Sequence, residues 1–321
     1  MTRRTALPPE AQGVLDRDRR TLARLISRVE NRDPSVEPVL RALYPHTGSA
    51  RVIGIAGPLG VGKSSLINAL LGYLRGRGRR IGVIGVDPSS PFSGGSVLGD
   101  RIRIERPAGE DGVFFRSMAS RGYPGGIAAA TREVSRLLDA FGMDTVLVET
   151  VGSGQVDVEI RRVASTSVVV LVPHLGDEVQ SLKAGLFEIA DIFCINKADL
   201  PGAEGAARYL SEMVQMGATP GGYVPRVVQS STVEARGIPE LWEAVEAHEA
   251  YLDSSATRAE AERKRATAEI YDLVRERVAG RLEPFLESDP EVLALVERVV
   301  ARELDPHTAA RTVYTELRHR L

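Results

Sequence analysis

Arg51-Val-Ile-Gly-Ile-Ala-Gly57-Pro-Leu-Gly60-Val-Gly62-Lys63-Ser64-Ser65-Leu66-Ile67 joins an apolar run, a glycine-rich loop and the start of a helix. Val52–Ala56 is an apolar run with the length of a buried strand. Gly57–Ser64 then spells G-x-x-x-x-G-K-S, and Leu66–Leu71 opens a helical pattern. A glycine-rich loop between a strand and a helix has a specific chemical use. Glycines let successive backbone N–H groups curl round a phosphate, and the helix N-terminus adds partial positive charge. Gly57, Gly60, Val61, Gly62, Lys63, Ser64 and Ser65 are therefore expected to hold the phosphates of a nucleoside triphosphate. Lys63 reaches the β- and γ-phosphates and the Ser64 hydroxyl serves Mg²⁺. A chance glycine-rich turn would not account for the fit of every motif position and both flanks.

Outward from this loop, apolar and helical stretches alternate. Strands are expected at 51–56, 80–86, 112–117, 144–149, 167–173, 190–195 and 225–230, and helices at 62–75, 125–141, 178–189, 203–217 and 238–252. The strands lack polar alternation, which argues for a mostly parallel sheet covered on both faces. The predicted fold is α/β: a P-loop NTPase domain over 49–252, a helical extension over 1–48 and a helical region over 253–321. In the extension, Val14, Leu15, Leu22, Leu25, Ile26 and Val29 recur at helical spacing, so 10–31 reads as one helix and 39–43 as a second. After 253, helices are expected at 256–286, 291–304 and 308–317, with no catalytic pattern. Helical arms that outlast a finished domain suit packing on a second copy, so a homodimer is expected.

Asn196-Lys197-Ala-Asp199 follows the strand expected at 190–195. The Asp199 carboxylate can accept from both guanine N1–H and the exocyclic amine, a pair of donors that adenine lacks, which points to GTP rather than ATP. Asn196 ties loops together or touches the base, and the Lys197 stem covers the base face. The loop Gln229-Ser230-Ser231-Thr232, after the last strand, is read as a source of backbone N–H groups for the guanine oxygen, with Ser230 and Ser231 as its site residues. Asp144-Thr-Val-Leu-Val-Glu149-Thr-Val-Gly152 ends a strand in a carboxylate placed to hold Mg²⁺, with the Gly152 N–H open to a γ-phosphate. Asp87 and Asp100 are Mg²⁺-shell or water-orienting candidates, or else turn and capping residues. Lys63, Asp87, Asp100 and Glu149 form the expected catalytic set. Arg116 is either a phosphate contact or a surface arginine.

Of 41 basic residues only four are lysine, namely Lys63, Lys183, Lys197 and Lys264. Two of them lie in nucleotide motifs, which draws attention to Lys183 and its neighbours Asp177, Glu178 and Gln180. That stretch reads as a functional loop, or else as a helix capped by Asp177. A formal charge of −2 argues against nucleic-acid binding. No apolar run approaches a membrane span, and Met1–Pro9 has no apolar segment of a secretory signal. The single cysteine, Cys194, excludes an internal disulfide and a Cys-cluster metal site, so a cytoplasmic protein is expected.

Together these residues resemble the MeaB/ArgK-type GTPases, the group of the human methylmalonic aciduria type A protein. The likeness runs from Asp18-Arg-Arg-Thr and Pro45-His-Thr-Gly48 through Gly57–Ser64, Val86-Asp-Pro-Ser-Ser90 and Gly94–Asp100. It continues through Arg116–Gly122, Glu149-Thr-Val-Gly152 and Gly176-Asp-Glu-Val-Gln180 to Asn196–Asp199. The resemblance implies a GTPase; because no in-line Gln follows Gly152 directly, Gln155 is a weak candidate and no arginine finger stands out, hydrolysis is expected to be slow alone and stimulated by a partner. That partner would be a cobalamin-dependent acyl-CoA mutase, methylmalonyl-CoA mutase or a close relative, whose adenosylcobalamin loading and reactivation are gated by GTP. It also implies homodimers joined by C-terminal helices and switches near 87–100, 149–158 and 172–183, the last sensing the mutase. Ser153 and His174 depart from the family pattern, which has a small or apolar residue and a glycine there. A nickel metallochaperone would need a His-rich tract or paired cysteines, against five scattered histidines and one cysteine here. A small-molecule kinase would use the same core but pass the γ-phosphate to an amine or hydroxyl. A non-hydrolysing scaffold would leave Glu149 and Asp100 without a role.

Overall fold

The strand that opens the phosphate loop becomes the middle of the sheet. The computed structural model describes residues 7–87, 112–119, 126–150, 159–173, 184–217, 222–254 and 257–320. Its strands are β1 (Arg51–Ala56), β2 (Ile81–Asp87), β3 (Val113–Ala119), β4 (Thr145–Thr150), β5 (Thr166–Leu171), β6 (Ile192–Ile195) and β7 (Arg226–Gln229). They form one seven-stranded sheet in the order β3-β2-β4-β1-β5-β6-β7. Every neighbouring pair is parallel. Strand order reverses about β1, so the crevice at its carboxyl end is the place where such sheets bind ligands.

Alternate residues of each strand feed two cores. Val146, Val148, Val169, Leu171, Phe193 and Ile195 face one side, while Leu147, Val168, Val170, Ile192 and Cys194 face the other. Both sides are apolar because both are covered, which is why these strands read as continuous apolar runs. Helices α1 (Pro9–Leu15), α2 (Arg19–Glu30) and α3 (Glu37–Leu43) contribute to the first core. The second core takes α4 (Lys63–Arg75), which starts at the phosphate loop. α5 (Gly126–Ala140), α6 (Ala184–Ile189) and α7 (Ala203–Met216) pack on the first side, and α8 (Ile238–Ser254) joins α4 through Leu241, Trp242 and Val245. Leu22, Leu25 and Ile26 of α2 are fully buried. At about 1.5–3 kcal/mol per buried aliphatic side chain, they make the extension part of the nucleotide unit.

The N-terminal segment differs from the single helix expected over 10–31. Arg17 takes a left-handed φ of 64° and ends α1. Asp18 then caps α2, accepting from Arg20 N at 3.0 Å and Thr21 Oγ1 at 2.5 Å. Apolar spacing continues across this break because both helices present their stripes to the same core, so periodicity alone hides it.

The chain divides into two compact units, Met1–Glu260 and Ala261–Leu321, where the expected boundary lay at 252/253. The second unit holds most of α9 (Thr257–Ser288) with α10 (Pro290–Val300) and α11 (Pro306–Arg320). α10 stops short of the expected Leu304, because Arg302 turns left-handed at φ 59° and Glu303 N returns to Arg298 O. Among the described residues no helix is long and apolar enough to cross a membrane.

Candidate functional site: the nucleotide loops at the carboxyl edge

Burial of β1 on both faces makes its carboxyl end a rigid base for the loop that follows. Gly57 leaves the strand at φ 140°, and a Cβ there would lie 2.3 Å from Val170 O, so only glycine fits. Lys63 is the first residue of α4 and is buried. Its ammonium donates to Gly57 O at 2.6 Å and Pro58 O at 2.8 Å, inside the curl of the loop. The next residue, Ser64, donates its hydroxyl to Glu149 Oε1 at 2.7 Å. Glu149, the last residue but one of β4, pairs beside Ile55 of β1 and is buried. Two residues separated by 85 positions, both read as Mg²⁺-shell groups, are thus in contact.

The guanine motif closes over the same loop. Asn196 Nδ2 donates to Val61 O at 2.9 Å, and Lys197 Nζ donates to Gly60 O at 2.9 Å. Gly62, at φ 91°, permits this approach, since a Cβ there would stand 2.6 Å from Asn196 Nδ2. Asp199 remains exposed. Its carboxyl is held below the usual 3.8, first by the hydrogen bond from the Ser231 hydroxyl and then by its own backbone N–H, with Arg236 and Lys197 adding positive charge. An exposed, ionised carboxylate is what a base with two adjacent donors requires.

Ser230 and Ser231 act differently from the expectation that their backbones serve the base. Their N–H groups donate to Ile195 O at 2.8 Å and Arg236 O at 2.9 Å, so neither offers a backbone donor to a base. Their hydroxyls do the positioning instead. Ser231 Oγ donates to Asp199 Oδ1 at 2.6 Å, and Ser230 Oγ donates to Asn196 Oδ1 at 3.2 Å. Among the described backbone bonds none uses the N–H of Thr232, the half-buried residue that follows.

Arg116 is neither a phosphate contact nor a free surface residue. Its guanidinium donates to Glu30 Oε1 at 3.0 Å and Ser27 Oγ at 3.0 Å and pairs with Glu30 Oε2, tying β3 to α2. The backbone of Asp87 ends β2 opposite Ala119. The Asp87 side chain lies outside the described residues, as do Asp100, Gly152, Asp177, Glu178, Gln180 and Lys183.

With phosphate loop, acidic strand end and guanine motif in one place, the family can be stated. Residues 22–284 match the family model described as methylmalonyl Co-A mutase-associated GTPase MeaB. The chain belongs to the MeaB family of GTPases. A relative from Pyrococcus abyssi whose name places it among GTPases is 44% identical over 303 residues, covering 94% of this chain and 93% of its own. GTPase ArgK of Escherichia coli is 36% identical over 236 residues, covering 71% of each chain. The crystal structure of a LAO/AO transport system kinase matches with a TM-score of 0.72 at 26% identity, covering 99% of each chain. As a MeaB-family member the chain is a P-loop enzyme that binds guanine nucleotide and hydrolyses GTP.

Proposed function

We propose that this GTPase is a chaperone of a cobalamin-dependent acyl-CoA mutase, methylmalonyl-CoA mutase or a close relative. GTP binding and hydrolysis gate adenosylcobalamin loading and reactivation of the mutase. The observation that carries the switch is the 2.7 Å contact between Ser64 and Glu149. It joins the phosphate loop to the end of β4, so a change at the phosphates bears directly on the segment that follows Glu149. The family description, which names association with methylmalonyl Co-A mutase, supports the partner.

In this mechanism the loop N–H groups from Gly60 to Ser65 and the Lys63 ammonium hold the phosphates. Asp199 accepts from guanine N1–H and the exocyclic amine, and the Thr232 N–H, rather than those of Ser230 and Ser231, donates to the guanine oxygen. The Lys197 stem covers the base. Ser64 and Glu149, with Asp87 and Asp100, are all oxygen donors, a set that fits Mg²⁺. When bound, the ion offsets the charge that builds on the phosphates. Glu149, fixed by its contact with Ser64, places its carboxyl oxygens at the side of the site that would hold the ion. Gly152 meets the γ-phosphate, and Asp177, Glu178, Gln180 and Lys183 form the loop that senses the mutase. Ile270, Val274 and Val278 recur along α9 and are exposed, as are Val296 and Val300 of α10, which supports a homodimer through these helices.

The test is capture of the mutase by the purified chain loaded with GDP or with a non-hydrolysable GTP analogue. Capture that depends on the nucleotide supports the chaperone reading; no capture in either state contradicts it. The likeness to a transport system kinase gives a specific reason to test phosphoryl transfer. Label from γ-labelled GTP recovered only as free phosphate excludes a kinase.

A further inference from the structure

We propose that Arg236 is a positioning residue of the base site: it clasps Asp199 against the 230–236 turn and supplies the cation beside that carboxylate. This rests on the reading of Asp199 as the guanine acceptor. The turn is closed at its base by reciprocal bonds, Ser231 N to Arg236 O at 2.9 Å and Arg236 N to Ser231 O at 3.0 Å. Ser231 therefore cannot shift without the Arg236 backbone. The single hydroxyl proton of Ser231 goes to Asp199 Oδ1 at 2.6 Å, and its lone pair takes Glu234 N–H at 3.2 Å. From the same residue, the Arg236 side chain donates to Ala198 O at 3.1 Å, on the peptide that leads into Asp199. Arg236 thus holds the hydroxyl partner of Asp199 through its backbone and the chain neighbour of Asp199 through its guanidinium.

The flanks of Arg236 hold it in place. Ala235 and Gly237 are both left-handed, at φ 50° and 81°. A Cβ on Gly237 would fall 2.0 Å from Gln229 O, so the turn is pressed against the end of β7. The charged groups around Asp199 are Lys197, which is committed to Gly60 O at 2.9 Å, and Arg236. Glu234, 3.5 Å from the guanidinium, tempers the latter. Arg236 is therefore the cation tied to the backbone that carries Asp199. It acts through the carboxylate and needs no contact with the nucleotide.

The experiment compares GDP with IDP, which lacks the exocyclic amine, by calorimetry on the full chain between pH 3 and 8. Arg236→Ala is expected to weaken GDP by about fivefold at neutral pH, the size of one ordinary hydrogen bond, since Arg236 acts on the base only through Asp199. IDP weakens less, so the GDP-to-IDP ratio narrows. Losing the cation makes the Asp199 carboxylate easier to protonate, so the acid fall in GDP affinity begins at higher pH in Arg236→Ala and Arg236→Gln. Arg236→Lys restores the wild-type pH limb. Fluorescence of the lone, buried Trp242 reports whether each variant is folded at each pH. Equal weakening of GDP and IDP with an unshifted pH limb, or no change in Arg236→Ala, overturns the proposal. Asp199→Asn is the control: if it keeps full preference for GDP over IDP, the base-site reading itself fails.

Discussion

In the proposed site Lys63 and Asp199 stand at opposite ends of the nucleotide, and their substitutions are expected to separate phosphate binding from base reading. Lys63 is buried with its ammonium on two loop carbonyls, so its charge is directed into the phosphate curl. Lys63→Ala is expected to weaken GTP by about 100-fold or more, the loss typical of removing one partner of a desolvated charge pair, with unchanged far-UV dichroism. Unchanged affinity by calorimetry would remove the phosphate assignment. Asp199→Asn is expected to cut GTP-over-ATP selectivity by about 100-fold, since one acceptor oxygen becomes a donor facing donors. Competition binding with ATP measures it. Both residues were legible in the sequence because the geometry they need is local: a strand end followed by a fixed spacing. Ser230 and Ser231 were found for the wrong atoms. Their partners, Asn196 and Asp199, stand 34 and 32 positions away, and no local pattern distinguishes a hydroxyl contact from a backbone one. Arg116 shows the same limit, with Glu30 86 positions distant.

At the amino ends of the strands an element-scale network holds α8 to the sheet. Glu249 accepts from Ser165 Oγ at 2.6 Å and Thr166 Oγ1 at 2.7 Å, both at the start of β5, and from Arg258 at 2.7 Å. Thr166 has one hydroxyl proton, and Glu249 takes it. His248 Nδ1, 2.8 Å from Thr166 Oγ1, therefore carries the hydrogen of that contact. Glu249→Ala strands the buried Thr166 hydroxyl and the half-buried Ser165 and Arg258 and is expected to cost about 3 kcal/mol, measured as a lowered urea midpoint with unchanged slope.

The same network predicts how stability falls with acid. Burial would raise the Glu249 carboxyl, but hydrogen bonds from Ser165, Thr166 and Arg258 outweigh it and hold it below 4.5. Its contribution is present above pH 4.5 and is lost as pH falls through the folded-state value. Burial keeps the His248 imidazole below 6.5 against the pull of Asp191 and Glu249. The unfolded chain takes up that proton first, so this contribution declines from pH 6.5 downward. Urea midpoints at about pH 7.5, 6 and 4 should fall in that order, and a flat profile would contradict both assignments. The strands themselves were readable because burial on both faces leaves long apolar runs. The division between α1 and α2 was not, because it depends on the left-handed Arg17 and the cap at Asp18 rather than on hydrophobic spacing.

For the whole molecule, the proposed function joins a guanine-nucleotide switch in the first unit with helices in the second that would pair two copies. Ile270 and Val274, 63% and 55% exposed and one helical turn apart on α9, are the residues on which the proposed dimer would rest. Ile270→Asp combined with Val274→Asp is expected to shift sedimentation from dimer to monomer while GDP affinity stays within about twofold, since both lie outside the nucleotide unit. Retained dimer would move the interface elsewhere. In the proposed function GTP turnover answers to a mutase. Its most direct test is phosphate release from GTP by the purified chain, alone and with an adenosylcobalamin-dependent acyl-CoA mutase. Slow release is expected from the chain alone, with a rise of about tenfold or more when the mutase is present, within the range by which partners accelerate such sites. An unchanged rate in the presence of the mutase would contradict the claim.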